Sequence, residues 1–127
     1  ELCPEVTFVL DHLGKPDVAA GQWTGWLHDI EAMAHLDNVR CKLSGLTTEA
    51  GEGTRATNKI RPYLRAAVDA FGPDRCMFGS DWPMCLLAGT YDQVFEALQM
   101  CLSGLNEQEK AMVLGENARR FYGIEQA

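Results

Sequence analysis

Arg75-Cys76-Met77-Phe78-Gly79-Ser80-Asp81-Trp82-Pro83 is the stretch whose reading decides the fold. Its first four residues are a short, mostly apolar run of the kind that forms a buried strand. A glycine, a serine, an acid, an aromatic and a proline follow. Gly79 permits close backbone approach and Pro83 ends the ladder. The pattern presents the Asp81 carboxylate at the end of a fixed strand, which is how α/β enzymes present catalytic groups. It also fits an ordinary strand exit whose aspartate caps the loop, so the flanking sequence has to choose.

Toward the amino terminus there are two more such strand ends. Val6-Thr7-Phe8-Val9-Leu10 is apolar without alternation, which predicts a parallel strand covered on both faces. It runs into Asp11-His12-Leu13-Gly14-Lys15-Pro16. Val39-Arg40-Cys41-Lys42-Leu43 predicts the next strand, ending in Ser44-Gly45-Leu46-Thr47-Thr48-Glu49. Between these two lies an amphipathic helix over Trp23 to His35, with Trp26, Leu27, Ile30, Met33 and Ala34 at helical spacing. Ala50 to Thr57 reads as a flexible loop long enough to serve an active site. A helix from Asn58 to Phe71 follows, with Pro62 near its first turn and Ile60, Leu64, Ala67, Val68 and Phe71 on its apolar face.

After Asp81 the spacing predicts a helix over Tyr91 to Leu102, with Tyr91, Val94, Phe95, Leu98 and Leu102 inward. Asn106 with Glu109 forms a capping box for a helix whose core face is Met112, Val113 and Leu114. A last short helix spans Glu116 to Tyr122. The alternation of strand and helix predicts an α/β fold of parallel β/α units with right-handed crossovers. The strand ends near His12, Ser44 and Asp81 then share one sheet edge, where such folds place chemistry.

The chain of 127 residues, 46% hydrophobic and 23% charged, is sized for one domain. The first residue is not methionine, as expected of a processed chain or a segment of a longer one. Glu1 to Glu5 shows no secretory leader. No apolar run approaches the roughly 20 residues that cross a bilayer. The net charge of −7, with lysine and arginine scattered, argues against nucleic acid and anionic membrane as partners. Five cysteines, an odd number with no C-x-x-C pair, read as buried free thiols in a reducing, cytoplasmic compartment rather than a zinc knuckle.

Four segments carry a resemblance: V-L-D-H-L-G-K-P (Val9 to Pro16), N-V-R-C-K-L-S-G-L (Asn38 to Leu46), F-G-P-D-R-C-M-F-G-S-D-W-P (Phe71 to Pro83) and G-E-N-A-R-R-F-Y-G-I (Gly115 to Ile124). In this order they resemble the carboxy-terminal part of the amidohydrolase-related (amidohydrolase 2) family, the branch with sugar-lactone and 2-pyrone-4,6-dicarboxylate lactonases. The resemblance implies the carboxy-terminal half of a distorted (β/α)8 TIM barrel, with these strands as its sixth, seventh and eighth. The family's amino-terminal His-x-His pair does not occur here; the histidines are His12, His28 and His35.

By resemblance Asp81 is the eighth-strand aspartate that takes a proton from the attacking water, and it can also contact a metal. His12 matches the strand histidine, as metal ligand, proton donor or hydrogen-bond donor to the substrate carbonyl. A lone histidine at a strand end is also, often, a satisfied core residue. A divalent zinc or manganese ion is implied, its site incomplete in these residues. Lys15, Ser44 and Trp82, with Lys42 and Glu49, lie near the same edge, where each can touch an anionic or hydroxylated substrate or serve as support. His28 and His35 are expected as helix residues, and Trp23 and Trp26 as core or helix-entry residues. The implied reaction is hydrolysis of a small lactone by Asp-activated water. The alternatives are a decarboxylase or hydratase on the same scaffold, or a silent half-barrel that self-associates or pairs with a missing half.

Overall fold

The computed structural model describes residues 3–51 and 54–125. Strands β1 (Phe8–Leu10), β2 (Val39–Leu43) and β3 (Cys76–Phe78) form a parallel sheet in the order β1-β2-β3. Helix α1 (Thr24–Ala34) connects β1 to β2, and α2 (Thr54–Phe71) connects β2 to β3. After β3 come α3 (Tyr91–Cys101), α4 (Glu107–Ala111), a π turn over Met112–Glu116, and α5 (Asn117–Phe121).

Strand β2 shows why the sheet has two unlike faces. Val39, Cys41 and Leu43 are buried, while Arg40 and Lys42 between them are half-buried. Alternation sends the first set toward the helices. There they join one core with Trp26 and Ile30 of α1, with Ile60, Leu64, Ala67, Val68 and Phe71 of α2, and with Leu98 of α3. Arg40 and Lys42 lie on the opposite face, where Lys42 is in register with Met77. The helix faces expected of α1 and α2 therefore form the core.

Several expectations need correction. The first strand is three residues long, and Phe8 is 46% exposed rather than covered on both faces. It is an edge strand, paired among the described residues only with β2. Helix α2 begins at Thr54, so Pro62 sits well inside it and not near its first turn. Its ring forfeits one backbone hydrogen bond there. Of the expected Ala50 to Thr57 loop, residues 52 and 53 lie outside the described residues. Tyr91, the first residue of α3, is exposed and packs edge-on against Phe78. Val113 is buried but Leu114 is not, since the π turn rotates the helix face at that point. The Asn106–Glu109 capping box is present, and Thr90 with Gln93 forms a second one on α3.

Asn117 ties the end of the chain to the sheet. Its buried side-chain amide donates to the Pro73 carbonyl at 2.7 Å and to the Cys76 carbonyl at 2.8 Å. The guanidinium of Arg75 donates to the Ala34 and Leu36 carbonyls, which closes the end of α1 against the start of β3.

All five cysteines are free; Cys3 is exposed and Cys41, Cys76, Cys85 and Cys101 are buried. Burial pushes the Cys41 thiol from its ordinary 9.0 to about 12 and raises Cys76 and Cys101 in the same direction. The unfolded chain therefore ionises these thiols first. The stability that the neutral Cys41 thiol contributes is full below pH 9.0 and is lost as pH rises toward 12. Titration of the native protein with a thiol reagent at neutral pH should modify Cys3 alone, and all five cysteines after unfolding. Rapid modification of more than one native thiol would contradict this core.

Candidate active site

The loop after β1 is built against ordinary backbone preference. His12, Leu13 and Lys15 have φ of 51°, 53° and 50°, and Gly14 has 70°. Left-handed backbone costs a non-glycine residue roughly 1–2 kcal/mol. Two anchors hold it. The Leu13 side chain is fully buried, and the Trp26 indole N–H donates to the Leu13 carbonyl at 2.8 Å. With Leu13 turned into the core, the His12 ring is delivered to the sheet edge.

There the imidazole meets the end of β2. His12 Nδ1 and Ser44 Oγ are 2.7 Å apart, and Ser44 is 3% exposed. A Cβ on Gly45, whose φ is +69°, would sit 2.5 Å from His12 Nδ1. Ser44 therefore holds the ring by its edge, and the bare backbone of Gly45 lies against it. With Nδ1 engaged, Nε2 faces the end of β3. It lies 3.8 Å from Asp81 Oδ1 and 3.3 Å from Asp11 Oδ2. Asp81 is also left-handed, at φ 58°, and its side chain is 17% exposed. Its backbone carbonyl accepts from the Cys85 N–H at 2.8 Å, which fixes the turn.

The fold thus brings His12, Ser44 and Asp81 together from three strand ends. Lys15 is drawn aside: its ammonium is 2.8 Å from Glu49 Oε1, and the hydrogen bond and charge of Glu49 hold it above its ordinary range. Trp82 is 65% exposed, its backbone N–H donating to Ser80 Oγ. Exposed Met84, Leu86 and Leu87 follow it. His28 and His35 are exposed on and just past α1, and Trp26 is core, as expected.

The sequence reading passed over Asp11. It bridges the site, with Oδ2 on His12 and Oδ1 3.0 Å from Lys42 Nζ. The available signal was periodicity: Asp11 follows Val9 by two residues, and Val9 is in register with Arg40 on the face that carries Lys42.

A family model described as Amidohydrolase matches residues 1–124. The chain belongs to the amidohydrolase family. It is 44% identical over 129 residues to an L-fucono-1,5-lactonase from Burkholderia multivorans, covering 91% of this chain and 43% of the relative. It is 33% identical over 85 residues to a 2-pyrone-4,6-dicarboxylate hydrolase from Comamonas testosteroni, covering 61% of this chain and 28% of the relative. The crystal structure of an amidohydrolase from Burkholderia multivorans with bound zinc superposes with a TM-score of 0.88 at 42% identity, covering 94% of this chain and 45% of that one. The chain spans less than half the length of these relatives.

The donor set of this amidohydrolase segment fits part of a zinc site. An imidazole nitrogen and a carboxylate are suitable donors, but zinc takes about four ligands. Among the described residues no group of three or more His, Cys, Asp or Glu side chains can hold a metal ion. His12 and Asp81 supply two such donors, with Nε2 and Oδ1 3.8 Å apart.

Replacing Ser44 with alanine leaves His12 Nδ1 without its partner and should lower stability by about 1 kcal/mol, measured by urea denaturation. Gly45→Ala should cost more, since it adds left-handed strain to the clash with the ring. It should also shift the His12 ring resonances in the NMR spectrum. Unmoved resonances would contradict the close approach.

Proposed function

We propose that this chain forms the carboxy-terminal wall of a lactone-hydrolysing site in a (β/α)8 barrel, its β1, β2 and β3 being the last strands of that barrel. The observation that carries this reading is the convergence of Asp81 and His12 Nε2 at 3.8 Å, with the other imidazole nitrogen held by Ser44. The lactonase names of the relatives favour ester hydrolysis over decarboxylation or hydration on the same scaffold. The substrate class is a small, polar, sugar-derived lactone, and L-fucono-1,5-lactone is the first compound to try.

In this mechanism Asp81 accepts a proton from water as the water oxygen adds to the lactone carbonyl carbon. His12 Nε2 donates to the oxygen that gains negative charge. The tetrahedral centre then collapses, the ring C–O bond breaks, and the ring oxygen leaves as a hydroxyl carrying the proton that Asp81 took from water. A serine hydroxyl both donates and accepts, so Ser44 supports His12 in either tautomer, as proton donor or as ligand. A divalent zinc or manganese ion bound by His12 and Asp81 would polarise the carbonyl and lower the pKa of water. Trp82 would border the sugar ring at the open edge. Lys15, tied to Glu49, would act from the rim.

The partner implied is the rest of the barrel or a second copy. Phe8 on the free edge of β1, and Trp82, Met84, Leu86 and Leu87 beyond β3, expose apolar surface on the sheet's two open sides. The 127-residue chain alone should self-associate in light scattering and bind an apolar dye. A monodisperse monomer with little dye binding would count against this.

In the full-length protein that carries this sequence, Asp81→Asn should lower kcat on L-fucono-1,5-lactone by about a hundredfold or more, the size expected for loss of a general base. Equal rates for variant and wild type would remove Asp81 from the mechanism.

A further inference from the structure

We propose that Lys42 is the anion-receiving group of this site, its ammonium taking the carboxylate that lactone opening creates. The proposal rests on the lactonase reading above and adds a product subsite to it. Lys42 stands on the face of β2 turned away from the helices. Its stem runs beside Gly79: a Cβ there would lie 2.9 Å from Lys42 Cε and 3.0 Å from Ser44 Cβ. Gly79 thus leaves open the lane along which the lysine reaches the strand ends. At the end of that lane Nζ is 3.0 Å from Asp11 Oδ1, and Asp11 Oδ2 is 3.3 Å from His12 Nε2. The ammonium is therefore one carboxylate away from the imidazole.

Stability does not account for a lysine here. The Lys42 side chain is 32% exposed and that of Asp11 55%, and such a pair contributes at most about 1 kcal/mol. An ammonium has three donors, and Asp11 is the acidic partner within reach among the described residues. The other nearby cations are committed elsewhere. Lys15 is on Glu49, and Arg40, two residues earlier in the strand, donates to the Asp37 and Val39 carbonyls.

The chemistry supplies the ligand. Water adds its oxygen to the acyl carbon, the ring C–O bond breaks, and at neutral pH the products are a hydroxy-carboxylate and a proton. The substrate is neutral and the product is an anion. A cation beside His12 therefore distinguishes product from substrate by charge alone. Asp11 holds the ammonium between turnovers and is the group the product carboxylate displaces.

The test uses the full-length protein and the open-chain acid made by alkaline opening of L-fucono-1,5-lactone. Its inhibition constant should rise about tenfold or more in Lys42→Met, the loss expected for one charge-assisted hydrogen bond. Lys42→Arg, which keeps the cation, should stay within about threefold, and KM for the neutral lactone should move far less than the inhibition constant. In the wild type added salt should weaken acid binding, and in Lys42→Met it should not. An unchanged inhibition constant in an active Lys42→Met protein would overturn the assignment and leave the lactonase reading standing. Wild-type protein that turns over no lactone would overturn that reading instead, and calorimetric titration of the acid into both proteins would still judge Lys42. Salt-independent acid binding by the wild type would refute the assignment without any variant.

Discussion

The left-handed turn from His12 to Lys15 is the constraint on which the site depends. Three non-glycine residues in that region store several kcal/mol of backbone strain by ordinary measures. Full burial of Leu13 returns about 2 kcal/mol and the Trp26 hydrogen bond about 1 kcal/mol. Strain and anchoring are of similar size, so the turn exists only when α1 is docked. The position of the His12 imidazole is in this sense a property of the Trp26 packing and not of the loop.

The same economy of parts holds at the other strand ends. Ser44 grips the ring at Nδ1, and Gly45 lets the backbone lie against it. Asp81 repeats the left-handed conformation at the end of β3, with its carbonyl held by the Cys85 N–H. His12 is fixed by buried Leu13 beside it and buried Ser44 across from it, and the Asp81 turn by buried Cys85. The helical layer supplies stability, and the opposite face, with Arg40, Lys42 and the strand-end carboxylates, carries charge.

How much of this was legible depends on whether local pattern or tertiary context set the outcome. Strand β2 and the core faces of α1 and α2 were readable because alternation and helical spacing act within a few residues. The gathering of His12, Ser44 and Asp81 followed from parallel strands alone. The left-handed turn was not readable: histidine, leucine and lysine do not favour that region, and the Leu13 anchor lies in a helix more than ten residues away. Asp11 was hidden beside a more conspicuous histidine, although its parity with Val9 marks its face. The exposure of Phe8 and Tyr91 was illegible for another reason. A hydrophobic pattern reports which face is apolar, not whether something covers it.

The Asn117 amide has a consequence for the order in which this molecule can be made. It grips the Cys76 carbonyl from 41 residues downstream, while Asp81 stands just past the other end of the same strand. During synthesis from the amino terminus, β3 is complete long before its clamp is translated. The first two strand ends can be in place while the third still lacks its fastening. Asp81 would then stand on the last of the three strands to be fully fastened, with only its local turn to the Cys85 N–H in place before that.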